Sequence, residues 1–127
     1  MLVVDDSEDI RESLAMLLEL RGYRAVTAGS GGYALHLILS LGLRPCAMVV
    51  DLIMPGMDGL AFRGELAKRG GAYIPIIALS GHEGLRRLAR KEGFVAAVLK
   101  PCDLDRLFGL IAQHCAQAGF VRHVKRA

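Results

Sequence analysis

Three aspartates, a serine and a lysine close apolar runs of this chain. Asp5-Asp6 follows Leu2-Val3-Val4, Asp51 follows residues 46–50, Ser80 follows residues 74–79, and Lys100-Pro101 follows residues 95–99. If the runs are parallel strands of one sheet, these ends share one edge. Three carboxylates gathered there repel one another, so the cluster needs positive charge. Lys100 is one source. A hard divalent cation is the natural second, and Mg2+ fits because it takes one or two carboxylates and keeps several waters. Asp51 closes a nearly uninterrupted apolar run and is the carboxylate held most firmly. A fixed carboxylate beside a metal and a lysine can act as a nucleophile toward phosphorus. Ser80 would add a hydroxyl for the phosphoryl oxygens. Each residue alone has a plainer reading, as a helix cap or a turn, but together they stand in order at successive strand ends.

The elements that must position them follow from periodicity. Leu2–Val4 is a short β-branched run. Ile10, Leu14, Leu17 and Leu18 then fall at helical spacing, with Ser7 as the cap, Glu8 and Asp9 in the first turn, and Gly22 at the end. Residues 24–28 form the second strand candidate, residues 30–41 the second helix, and residues 46–50 a third strand apolar enough to be buried on both faces. Asp58 caps a helix over 58–69 despite Gly64; a strand over 74–79 and a short basic helix over 82–92 come next. A fifth strand spans 95–99 and a last helix 103–118, with Leu104, Leu107, Phe108, Ile111 and Cys115 on one stripe and Gly119 closing it. Residues 119–127 read as a tail or the start of a linker. Strands alternating with helices imply βαβ units, an α/β class and a parallel sheet covered on both faces. Such sheets bind ligands at the carboxyl ends of the strands, where the polar residues stand.

Composition narrows the class. A chain of 127 residues fits one domain and can bury a core without staples. No apolar run approaches the ~18 residues that span a bilayer, and Met1–Val4 is too short for a signal peptide; the expectation is a cytoplasmic protein with no membrane partner. The net charge of +3 is too small to imply nucleic acid. Positives cluster at Arg86, Arg87, Arg90 and Lys91 and again at Arg122, Lys125 and Arg126, which reads as a solvated helix face and a tail. Cys46, Cys102 and Cys115 are odd in number and lack CxxC spacing, so they read as small buried hydrophobes, with neither a disulfide framework nor a zinc site. His36, His82, His114 and His123 show no metal-binding pairing.

The chain resembles the receiver domain of two-component response regulators over residues 1 to 118. The matching motifs are Leu2-Val3-Val4-Asp5-Asp6, the run from Asp51-Leu52-Ile53-Met54-Pro55 through Gly56-Met57-Asp58-Gly59, Ser80-Gly81 and Lys100-Pro101. The resemblance implies a flavodoxin-like, doubly wound (βα)5 parallel sheet of strand order 2-1-3-4-5. It makes Asp51 the phosphorylation site. Mg2+ would be held by Asp6, Asp51 and the carbonyl of Ile53, with Asp5 acting mainly through water. Ser80 and Lys100 would contact the phosphoryl group, and the Lys100-Pro101 peptide would be cis. The phosphoryl donor would be a histidine kinase or histidine phosphotransfer protein. The domain would catalyse its own Mg-dependent phosphorylation and dephosphorylation without being a conventional enzyme. An output partner would meet the face of the fourth helix, fifth strand and fifth helix. One departure stands out: relatives usually carry Tyr or Phe three residues before the lysine, and here the position is Ala97.

Rival readings fail on single residues. An Asp-nucleophile phosphatase of the haloacid dehalogenase type needs a second Asp two positions on, where Ile53 stands. A dinucleotide binder needs GxGxxG after the first strand, where Asp5-Asp6-Ser7 stands. A receiver-fold scaffold that binds partners without phosphorylation is favoured by Ala97 and opposed by the acidic triad, Ser80 and Lys100. Ile53 and His82 would flank the approach of a hydrolytic water to the phosphoryl group. Ile53 offers no hydrogen bond there and argues for slow hydrolysis, whereas a neutral His82 could orient or deprotonate that water.

Overall fold

A computed structural model of the chain describes residues 1–100 and 103–126, with side chains as far as Cys115. Five parallel strands form one sheet in the order β2-β1-β3-β4-β5. The strands are β1 (Leu2–Val4), β2 (Val26–Ala28), β3 (Met48–Asp51), β4 (Ile76–Ser80) and β5 (Ala96–Leu99). The helices are α1 (Glu8–Leu20), α2 (Gly31–Leu35, continuing as a π-helical stretch His36–Ser40), α3 (Gly59–Lys68), α4 (Glu83–Lys91) and α5 (Leu104–Arg126). This is the doubly wound α/β architecture the alternation of elements implies, and no described helix is long and apolar enough to cross a membrane.

The period-2 alternation of the strands divides the core into two layers. Leu2, Val4, Met48, Val50, Ile76, Ala78 and Ala97 pack under α2, α3 and α4 with Phe62, Leu66 and Ala89. Val3, Val49, Ile77, Leu79, Ala96 and Val98 face the opposite way, against Leu14 and Leu18 of α1 and Leu107, Phe108 and Ile111 of α5. The central strands are covered on both sides, which explains their continuous apolar runs.

Three expectations change. Ile10 shares the helical spacing of Leu14 and Leu18 but is 38% exposed, and Leu104 shares that of Leu107 and Ile111 but is 39% exposed; each lies in the first turn of its helix. Gly119 does not end the last helix, which continues to Arg126. An interior glycine costs only about 1 kcal/mol, and no proline follows to stop the helix. The cysteines are not all isolated hydrophobes. Cys46, just before β3, and Cys115 of α5 form a disulfide with their Cα atoms 5.1 Å apart, at a sequence separation of 69. The spacing rule missed it because the pairing is made by tertiary packing of α5. The expected cis peptide at Lys100-Pro101 lies outside the described residues.

Candidate functional site

The register builds the site. Val4 pairs with Val50 in the β1–β3 ladder, so Asp5 and Asp51 leave adjacent strands side by side. Asp6 stands in the following loop. One oxygen from each of Asp5, Asp6 and Asp51 lies within 4.8 Å of the others, with Asp5 and Asp51 buried and Asp6 exposed. Lys100 follows β5, two strands from β3, and its backbone N–H donates to the Ser80 carbonyl at 2.8 Å. Its long side chain crosses the end of β4 and brings Nζ to 3.2 Å from Asp51 Oδ2 and 3.7 Å from Asp5 Oδ2.

Each buried carboxylate has one oxygen fixed by backbone. Asp5 Oδ1 accepts from the Ser7 N–H at 2.9 Å, and Asp51 Oδ1 from the Ile53 N–H at 3.1 Å. Asp51 is thereby oriented with Oδ2 toward Lys100. Asp5 Oδ2 is buried and accepts no hydrogen bond. The Lys100 ammonium is near enough to attract it electrostatically but too far to donate to it. Burial raises the Asp5 carboxyl above its ordinary value; the Ser7 N–H opposes this, Asp51 adds to it, Lys100 opposes it and Asp6 adds a little more. A buried carboxylate oxygen without a donor, beside two further carboxylates, is a donor set suited to a hard divalent cation.

Of the residues singled out in the sequence, Asp5, Asp6, Asp51 and Lys100 are brought together. Ser80, on the neighbouring strand, pairs with Leu99 in the β4–β5 ladder. Its hydroxyl is engaged with its own loop, accepting from the His82 N–H at 3.0 Å and donating to the His82 carbonyl at 3.2 Å. Ile53 places its side chain outward, 62% exposed. His82 is an exposed N-cap of α4, its Nδ1 accepting from the N–H groups of Gly84 at 3.1 Å and Leu85 at 3.4 Å. That occupies one ring nitrogen and leaves only Nε2 for any work on water. Ala97 is buried beneath the α4 side of the sheet, and its carbonyl accepts from Arg106 Nη1 at 3.1 Å.

Two supporting residues escaped the sequence reading. Arg11 Nη1 lies 3.3 Å from the Asp5 carbonyl and 3.5 Å from that of Asp6, spanning the loop that carries both carboxylates. Only its place one turn into α1 signals this. Gly59 donates its N–H to the Leu52 carbonyl at 3.0 Å. A Cβ there would come within 2.7 Å of the Asp51 carbonyl and 2.9 Å of Leu52 Cα. The start of α3 thus presses directly on the backbone behind Asp51, an approach only glycine permits. Gly56, at φ +75, turns the intervening loop, and Asp58 caps α3 by accepting from Ala61 N–H at 2.8 Å.

Comparison with known proteins agrees with this construction. The response regulator receiver domain family matches residues 1–112. The regulatory protein AtoC of Escherichia coli (strain K12) is 30% identical over 99% of this chain, which spans only 28% of AtoC. An uncharacterised 14.6 kDa protein of Leptolyngbya boryana is 39% identical over 90% of this chain and 88% of its own length. Among solved structures, a response regulator receiver protein from Pseudomonas putida superposes with a TM-score of 0.81 at 32% identity, covering 88% of this chain and 93% of its own. With its fold, its strand-end carboxylates and these relatives in agreement, the chain belongs to the response regulator receiver domain family.

Proposed function

We propose that the chain is a phosphorylation-switched receiver in which Asp51 accepts a phosphoryl group from a phosphohistidine of a histidine kinase or histidine phosphotransfer protein. In the transfer a carboxylate oxygen of Asp51 forms the new P–O bond as the P–N bond to the donor imidazole breaks. The observation that carries this reading is the Asp5–Asp6–Asp51 cluster with a buried, hydrogen-bond-free oxygen on Asp5 and Lys100 at 3.2 Å from Asp51. Asp5, Asp6, Asp51 and the carbonyl of Ile53 would hold Mg2+, which when bound neutralises charge on the phosphoryl oxygens. Lys100 supplies fixed positive charge from the other side. Ser80 reaches the phosphoryl oxygens only by releasing the His82 carbonyl. All of this chemistry is placed in the cytoplasm.

The output partner is assigned to the face of α4, β5 and α5. Leu88, Val95, Leu99 and Leu104 are exposed there, and Arg87, Arg90 and Lys91 line a shallow groove with Gly84 and Leu88. Arg86 is drawn away from this face into a fork with Glu83, at 2.7 to 3.0 Å. An apolar strip rimmed by cations suits an acidic protein surface. Ala97 favours a second reading, a scaffold that binds this partner without phosphorylation.

Incubation with acetyl phosphate and Mg2+, followed by intact-mass measurement, separates the two. The switch reading requires a gain of one phosphoryl group that disappears on chelation and in Asp51→Asn. A gain that survives Asp51→Asn would sink the assignment, and no gain in the wild type would leave the scaffold.

A further inference from the structure

The Cys46–Cys115 pair lies apart from the carboxylate cluster. Cys46 stands just before the start of β3 and Asp51 ends it, so the length of the strand separates them. Cys115 is 1% exposed, on the buried stripe of α5 with Leu107, Phe108 and Ile111. Cys46 is only partly buried. A Cα separation of 5.1 Å suits a disulfide without backbone movement. Cys115 Sγ also lies 3.4 Å from Met1 Sδ, a weak acceptor that a free Cys115 thiol would find beside it.

We propose that Cys46 and Cys115 are a reversible dithiol–disulfide couple, operated by small-molecule disulfides and thiols, that locks α5 to the start of β3. The difference in burial sets the order of events. The Cys46 thiolate attacks one sulfur of a glutathione-type disulfide, forming a mixed disulfide and releasing one thiolate. The Cys115 thiolate then attacks Cys46 Sγ and displaces the second thiolate. Two protein thiols lose two electrons and two protons, and the small disulfide is reduced to two thiols. Reduction runs the same path backward, with an external thiolate entering at Cys46, the sulfur it can reach. In a reducing compartment persistent disulfides are rare, so the lock closes when the thiol pool is oxidised. It reaches the proposed output face through α5 and leaves the Asp51 carboxylate untouched.

The test uses the full chain equilibrated in reduced-to-oxidised glutathione mixtures, then trapped by alkylation and mapped as peptides. The expected cross-link joins the segments carrying Cys46 and Cys115 and leaves Cys102 alkylated. Closing a loop of this length raises the midpoint of thermal unfolding by about 10 °C in the oxidised form. That difference vanishes in Cys46→Ser, which melts with the reduced wild type. Cys115→Ala accumulates a mixed disulfide with glutathione at Cys46, while Cys46→Ala accumulates none at Cys115. Because Cys115→Ala opens a small void and can fail to fold, the Cys46 variants carry the decision. A cross-link to Cys102, no cross-link at any glutathione ratio, or equal melting of both forms overturns the proposal. None of these readouts depends on whether Asp51 is phosphorylated.

Discussion

Replacing Asp5 by Asn should stabilise the metal-free protein and abolish its stabilisation by Mg2+. At an effective dielectric of 20, the Asp51 carboxylate, within 4.8 Å, repels Asp5 by about 3.5 kcal/mol. The exposed Asp6 adds roughly 1 kcal/mol after screening. Lys100 at 3.7 Å attracts it by about 4.5 kcal/mol on the same scale. These effects nearly cancel, so the desolvation of a carboxylate with one donor-less oxygen is left to a single backbone hydrogen bond from Ser7. A neutral amide keeps that bond and removes the buried charge, for an expected gain of about 1–3 kcal/mol. The pH dependence has a definite sign. The Asp5 pKa is raised on folding, so its contribution is fully present below the ordinary carboxylate range and is lost as pH rises through the folded value. The gap between variant and wild type therefore opens above about pH 4, persists at neutrality and closes on acidification. Urea unfolding with chelator measures it. Mg2+ at 100 times its dissociation constant should add about 2.7 kcal/mol to the wild type and almost nothing to Asp5→Asn. An Asp5→Asn protein that is less stable without metal, or that gains as much from Mg2+ as the wild type, would refute the reasoning.

Ile53→Asn should accelerate loss of the phosphoryl group, because an exposed amide can orient the incoming water where Ile53 cannot; acid-quenched time courses measure it. His82→Ala should change that rate little, since His82 Nδ1 is committed to α4; a tenfold slowing, about 1.4 kcal/mol of barrier, would make the histidine part of the hydrolytic site. Gly59→Ala should cost about 1–3 kcal/mol in urea unfolding, since its Cβ meets backbone atoms of Asp51 and Leu52 that cannot swing aside. An unchanged midpoint would show that α3 can shift off the Asp51 loop.

The fold was legible because the strands are short apolar runs with polar ends, and a parallel sheet gathers those ends on one edge whatever the helices do. Asp5, Asp51 and Lys100 could be placed together from that rule alone. Boundaries shifted wherever the backbone leaves the ladder without changing composition: β4 begins at Ile76 because Pro75 has no N–H to give. What the sequence hid was tertiary. Nothing near Cys46 announces that Cys115, on another element, packs against it. Arg11 reads as an ordinary surface residue until the loop carbonyls of Asp5 and Asp6 are seen beneath it. Arg86 counts as part of a basic patch in the sequence, but Glu83 three residues earlier neutralises it locally and is itself held below its ordinary pKa, chiefly by the hydrogen bond from Arg86.

The absence of an aromatic at position 97 leaves a different connection from Ser80 to the α4 face. Ala97 is buried and its backbone is tied to Arg106, so no side chain there can rotate between two positions. Ser80, however, shares two hydrogen bonds with His82, and His82 caps α4 through Gly84 and Leu85. A phosphoryl group on Asp51 that recruits the Ser80 hydroxyl must break its bond to the His82 carbonyl, and the strain falls on the cap. A helix N-cap is typically worth about 1 kcal/mol, which alters the balance between capped and frayed α4 about fivefold. Phosphorylation would thus be felt first at the groove lined by Gly84, Arg87 and Leu88. Amide exchange with and without beryllofluoride should show faster exchange at Gly84 and Leu85 in the loaded protein. In His82→Ala, where the cap is already absent, exchange at those two residues should be fast in both states. Equal protection in the loaded and unloaded wild type would mean that α4 does not sense Asp51, and the scaffold reading would then be the better account of this chain.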